Sequence, residues 1–125
     1  MQKKILLVLL FIALALEVYL TYLCFFNPAA AFAAMKVEYN AQLAFPAYLI
    51  GWFLLLVTVL IAYALYSVAN NQKAVAPLIY ILAIWWIGIG IGIWGYNGTT
   101  NNLLSDSLKG LLLLIVTPLW VREKR

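Results

Sequence analysis

Ile5-Leu-Leu-Val-Leu-Leu-Phe-Ile-Ala-Leu-Ala-Leu-Glu17-Val-Tyr-Leu-Thr21-Tyr-Leu-Cys24-Phe-Phe26 decides how the rest of this chain is read. It is long enough to cross a bilayer, whose hydrocarbon core takes about 20 mostly apolar residues in a helix. It also carries one carboxylate near its middle. Three further runs match it in length: 45–68, 77–96 and 103–121. The expected fold is therefore all-α and integral to a membrane. A single domain, 1–125, forms a four-transmembrane-helix bundle with spans at about 5–26, 45–68, 77–96 and 103–121.

Composition agrees. Of the 125 residues 67% are hydrophobic, well above the roughly 45–50% of soluble domains. The short links leave no room for a soluble domain. The chain has no histidine, and its one cysteine is Cys24. Haem, zinc and copper sites lean on those ligands, so no metal and no cofactor is expected. One cysteine cannot form an intrachain disulfide. No basic stripe interleaves with exposed aromatics, which argues against nucleic acid as a partner. The first run could pass for a signal peptide, with Lys3 and Lys4 ahead of it and Ala29–Ala34 behind. Its apolar stretch is longer than the usual core of about 7–15 residues, so it is read as a retained span.

Charge sets the orientation. Lys3, Lys4, Lys73, Arg122, Lys124 and Arg125 all fall on one side if the chain weaves through four times. The positive-inside rule places both termini and the second link in the cytoplasm, the membrane being a bacterial cytoplasmic (inner) membrane. Of the other two links, Asn97–Asn102 is a Gly/Asn/Thr-rich turn, and its Asn97-Gly98-Thr99 sequon is read as part of that turn. The first, Asn27–Ala44, opens with Pro28, which ends the span. Within it Ala29–Gln42 reads either as a short interfacial helix, with Phe32, Met35, Tyr39 and Leu43 on one face, or as an ordered loop. Tyr63, Tyr66, Trp94 and Trp120 sit where interface anchors are expected. Trp85 and Trp86 lie deeper, roughly 12–14 Å into span three. They either fill the bundle or line a pocket for an apolar or cationic ligand.

Glu17 is the most informative residue. At 1.5 Å per residue it lies about 12–13 Å from the outer edge of span one. An ionised carboxylate there costs at least about 2.5 kcal/mol, so it must be paired, protonated or turned inward. Ala13, Thr21 and Cys24 share its face. Lys109 is about 9 Å deep in span four, and Asp106 precedes it by three residues on the same face. A Glu17–Asp106–Lys109 polar cluster joining spans one and four is expected, competing with a Lys109 that snorkels outward. Span three carries alternating glycines, and on a helix Gly88, Gly92 and Gly95 form a small-residue packing face while Gly90 points elsewhere.

Leu104-Ser-Asp106-Ser-Leu-Lys109-Gly110, the Asn27-Pro28 break and four short spans resemble the small four-helix DoxX-like and BphX-like membrane proteins. That resemblance implies a four-helix bundle and picks out Asp106, Lys109 and Gly110 without giving them a role. Separately, Leu14-Ala-Leu-Glu17-Val-Tyr-Leu-Thr21, with Ile84-Trp85 before the glycines, is similar to small multidrug resistance transporters. It implies that Glu17 exchanges protons for a cationic substrate and that Trp85 stacks on it. The first link is longer than in those transporters, and the basic bias argues against two opposite insertions. The leading expectation is a non-enzymatic membrane protein, homo-oligomeric or an accessory subunit, whose partners are the bilayer and itself or other membrane subunits. The alternative is a proton-coupled transporter of cationic small molecules.

Overall fold

A computed structural model describes residues 2–34, 37–98, 100 and 103–123. Its long helices are α1 (Gln2–Phe26), α3 (Ala44–Ala69), α4 (Ala76–Asn97) and α5 (Leu108–Arg122), and a short α2 (Pro28–Ala34) follows the first. One-turn 3-10 segments, Ala41–Leu43 and Lys73–Val75, lead into α3 and α4, and a π-helical turn, Leu103–Ser107, leads into α5. With these lead-ins, four helices are long and apolar enough to cross a membrane.

Local chemistry sets the ends. Pro28, Pro46 and Pro77 stand in first turns, where a missing N–H costs nothing. Asn71 takes a left-handed φ of 58° just beyond α3, and Gly98 one of 72° as α4 ends. Such residues close helices because they tolerate that conformation. The Gly98 N–H donates to the Trp94 carbonyl at 2.8 Å. Thr99, Asn101 and Asn102 of the expected turn lie outside the described residues, as do Met35, Lys124 and Arg125.

Of the two readings open for Ala29–Gln42, each holds in part: α2 covers Pro28–Ala34 and residues 37–40 are not helical. Val37 is β-branched and Asn40 prefers to start a turn rather than continue one. The Asn40 side chain accepts from the Gln42 N–H at 2.9 Å, opening the 3-10 turn. Phe32 is buried and stacks on Tyr39, with centroids 5.7 Å apart.

The bundle order around its axis is α3, α1, α5, α4. Helix α1 packs against α3 and α5, and α5 against α4, while α3 and α4 hardly approach each other. The shared core is Leu6, Leu10 and Ala13 of α1, Val57, Ile61, Ala64 and Val68 of α3, Ile79, Leu82, Ala83 and Trp86 of α4, and Leu113, Val116 and Trp120 of α5. The outside is apolar too, with Phe11, Tyr19, Leu56, Ile81 and Ile115 exposed, as a lipid-facing surface must be.

Two glycines let helices come close. A methyl at Gly51 would stand 3.0 Å from the Phe25 ring. One at Gly110 would run into the Ala83 carbonyl oxygen and lie 2.8 Å from Ile87 Cγ1. The expected packing face of α4 does not serve the bundle this way. Gly88, Gly92 and Gly95 are exposed, and a methyl on any of them meets nothing within 4 Å, whereas Gly90 is buried. Trp120 also departs from expectation. It is fully buried rather than placed at an interface, because it closes the core beneath Lys73, whose ammonium lies 5.9 Å from its ring centroid. Lys73 also donates to the Glu123 carbonyl, tying the second link to the end of α5. Tyr63, Tyr66 and Trp94 face outward.

Candidate functional site

The buried stripe of α1 runs Ala13, Glu17, Thr21 and Cys24. The spacing of four, four and three keeps all four on one helix face. Glu17 is only 2% exposed. The Thr21 hydroxyl donates to the Glu17 carbonyl at 2.7 Å and lies 3.4 Å from the Thr58 hydroxyl, linking α1 to α3. The Thr58 hydroxyl donates in turn to the Leu54 carbonyl at 2.8 Å. Both hydroxyls are thus satisfied within their own helices and pack against each other where α1 meets α3.

What meets Glu17 from α4 is Trp86. Its indole Nε1–H donates to Glu17 Oε1 at 3.1 Å. The other carboxylate oxygen, Oε2, is buried without a hydrogen-bond partner. Lys109, itself 7% exposed, places its ammonium 4.1 Å from the centroid of the same indole and 3.7 Å from Asp106 Oδ1. The expected trio of Glu17, Asp106 and Lys109 is thus gathered at one place, with Trp86 as the shared partner. No Glu17–Lys109 ion pair forms within 4.0 Å. The indole meets the Glu17 carboxyl through its N–H and the Lys109 ammonium through its face, the latter a cation–π arrangement. The π-helical turn that carries Asp106 is fastened by Ser107, whose hydroxyl donates to the Ile87 carbonyl at 3.0 Å.

A cavity of about 330 Å³ lies beside this cluster. Its walls come from three of the long helices: Glu17, Leu20 and Cys24 from α1, Ile50, Phe53 and Leu54 from α3, and Trp85, Trp86, Ile89 and Ile93 from α4. Asp106 precedes α5 in the wall, and Ala31 of α2 completes it. The lining is mostly hydrocarbon and aromatic, with two carboxylates among it and no basic side chain. An apolar pocket with few convergent polar groups is the usual form of a small-molecule site. Trp85 contacts both Trp86, at 6.2 Å between centroids, and Phe53, at 5.6 Å. Both tryptophans singled out from the sequence therefore line the cavity. Trp86 has its face and its N–H already engaged, so Trp85 is the ring left to a ligand.

Sequence reading did not find Ile50, Phe53 and Leu54. They sit in an unbroken apolar run whose pattern gives no hint of which face looks into a cavity. Nor did it find the Thr58 partner of Thr21 or the hub role of Trp86. The shallow groove at Gly88 and Gly92, flanked by Ile84, Trp85, Ile89 and Ile93, shares Trp85, Ile89 and Ile93 with this cavity and lies on the exposed glycine face of α4. Among the described residues no His/Cys/Asp/Glu group could hold a metal ion.

Comparison with protein-family models, with curated proteins and with solved structures finds no match.

Proposed function

We propose that this chain is a non-enzymatic four-helix membrane protein that binds a small organic cation in the cavity between α3 and α4 and exchanges it against a proton on Glu17. The supporting observation is that Glu17 lines the cavity while its second carboxyl oxygen, Oε2, is buried without a hydrogen-bond partner. A buried polar group left unsatisfied costs about 1–3 kcal/mol. A ligand cation replaces that deficit with a charge-assisted contact. Trp85 and Phe53 supply rings for its apolar body, and Asp106 offsets the charge of Lys109. On binding, the carboxyl proton leaves to water and the cation takes its place, so charge in the cavity is conserved.

Benzyltrimethylammonium, a compact aromatic cation, is the probe. Titration calorimetry on the purified protein in mild detergent should give saturable binding, with proton release detected as a dependence of the heat on buffer ionisation. Glu17→Gln should abolish both. Saturable binding that survives Glu17→Gln would refute the reading.

The groove at Gly88 and Gly92 favours a second reading, a homo-oligomer or an accessory subunit of a membrane complex, because two helices approach closely only over such small residues. Its test is the mass of the protein–detergent complex, with Gly88→Leu expected to reduce it to that of a monomer. Lys3, Lys4, Lys73 and Arg122 support placing both termini and the second link on the cytoplasmic side of a bacterial inner membrane.

A further inference from the structure

We infer that the opposite end of the bundle holds a second site, for a phosphoryl anion, in the cavity where α3 ends and α4 begins, with Ser67, Gln72 and Lys73 as its donors. The site does not depend on the Glu17 reading, since the two cavities share no residue.

This cavity has a volume of about 460 Å³. Tyr63 and Ser67 of α3, Gln72 of the link, and Lys73, Val75 and Leu78 at the start of α4 line it. Its polar lining is opposite in kind to that beside Glu17. There two carboxylates stand without a base; here an ammonium, an amide and two hydroxyls stand without a carboxylate. Each of the four groups can donate a hydrogen bond, and the ammonium carries the only charge. Exposed Tyr63 and Gln72 mark the rim, and buried Ser67 and Val75 the base.

Ser67 is the residue that asks for a ligand. A serine or threonine inside a helix can return its hydroxyl to the carbonyl four residues back. Thr21 and Thr58 do so. Ser67 does not: it is 0% exposed, and its hydroxyl has no hydrogen-bond partner. An oxyanion in the cavity supplies the acceptor. Lys73 is already held in place beside it. Its ammonium donates to the Glu123 carbonyl and lies 5.9 Å from the Trp120 ring centroid, and that carbonyl takes one of three N–H groups. The turn Lys73–Val75 leads into α4, and the start of a helix favours negative charge through its dipole and its first N–H groups. Lys3, Lys4 and Arg122 stand at the same end of the bundle and draw anions towards it. A tetrahedral phosphoryl group presents oxygens on several sides, which suits donors arriving from a helix, a link and a turn. A planar carboxylate does not. Two sources carry that group, the head of an anionic phospholipid and free phosphate in water. Val75 and Leu78 favour the lipid, because its glycerol and chains can lie against them.

The probes are dioleoyl-phosphatidylglycerol, dioleoylglycerol (the same chains without the phosphate) and inorganic phosphate. All are titrated onto the full chain in mild detergent, the lipids followed by native mass spectrometry and the phosphate by calorimetry. Phosphatidylglycerol should bind as one saturable copy, and dioleoylglycerol should not. Ser67→Ala should weaken that binding by about fivefold or more, and Lys73→Gln by about tenfold or more. Lys4→Gln, at the same end but outside the cavity, should change it by less than about twofold, since water and salt screen an exposed charge. Ser67→Ala removes a hydroxyl without a protein partner and should resist denaturing detergent as the wild type does, so it decides the matter even where Lys73→Gln fails to fold. If inorganic phosphate binds with the same dependence on Ser67 and Lys73 while the lipid does not, the site stands and its ligand comes from the water. If neither phosphoryl probe binds saturably, if dioleoylglycerol binds as well as phosphatidylglycerol, if Ser67→Ala leaves binding unchanged, or if Lys4→Gln weakens it as much as Lys73→Gln, the inference is overturned.

Discussion

Gly110→Ala and Gly88→Ala are the same chemical change on two apolar helices, and the structure gives them opposite outcomes. Each gains helix propensity, about 0.8–1.0 kcal/mol for replacing Gly by Ala in a helix interior. At Gly88 nothing lies within 4 Å of the new methyl, so the propensity gain stands alone. At Gly110 the methyl meets the Ala83 carbonyl oxygen, with Ile87 Cγ1 at 2.8 Å and the Ala83 carbonyl carbon at 3.3 Å. Ile87 can rotate, but a helical backbone cannot, so α4 and α5 must separate. Overpacking of this kind costs about 1–3 kcal/mol, and a clash with backbone belongs to the upper half. Subtracting the propensity gain leaves Gly110→Ala less stable by about 1–2 kcal/mol, a factor of roughly 5–30 in the folding equilibrium. Unfolding in mixed micelles by increasing fractions of a denaturing detergent, followed by tryptophan fluorescence, reads the difference, because Trp86 and Trp120 are fully buried at this helix pair. A Gly110→Ala protein as stable as the wild type would refute the α4–α5 packing described above. A Gly88→Ala protein as impaired as Gly110→Ala would refute the outward orientation of the α4 glycine face.

Trp86→Phe keeps a ring under Lys109 but removes the donor to Glu17 Oε1. It should cost about 1–3 kcal/mol in the same assay, and clearly more than Trp85→Phe, whose indole has no such role; equal costs would sink the hub assignment. Thr117 is fully buried and its hydroxyl has no hydrogen-bond partner, so the isosteric Thr117→Val should raise stability by about 1 kcal/mol, and a loss of that size would point to a bond from this hydroxyl. Cys24 lines the cavity as a free thiol. Its reaction with a small maleimide, followed by mass spectrometry, should slow when benzyltrimethylammonium occupies the site, and protection absent at saturating ligand would place the ligand elsewhere.

Helix length and helix ends were open to reading because they depend on near neighbours. A span needs a count of apolar residues, and Pro28, Asn71 and Gly98 act on the backbone beside them. The four spans accordingly match their expected bounds to within a few residues. The segment at 29–42, open between a short helix and an ordered loop, is part of each for a definite reason. Phe32, Met35, Tyr39 and Leu43 have helical spacing, but Phe32 and Tyr39 reach each other by stacking across a helix end rather than along one helix. Spacing measures the pattern of apolar residues and not whether the backbone between them stays helical.

The site divides along a similar line. Depth in a membrane follows from residue number at 1.5 Å per residue, which is why Glu17, Asp106 and Lys109 could be placed near one level. Rotation about each helix axis does not follow, because it depends on which faces of four apolar cylinders find each other. That is where the expected direct pairing gave way to an indole shared by both charges. An ion pair in an apolar interior must recover a large desolvation cost through near-ideal geometry. An indole offers a donor for the carboxyl and a face for the ammonium without asking the two to meet. Because Trp86 holds Glu17 through one oxygen only, the second is left without a hydrogen-bond partner. A closed Glu17–Lys109 pair would have made a good structural clasp and a poor binding site. The same rotation explains the glycines. Gly88 and Gly92 share a face, as their spacing says, but α4 turns that face away from the bundle, and the close approach falls instead to the isolated Gly110, which no repeat marks.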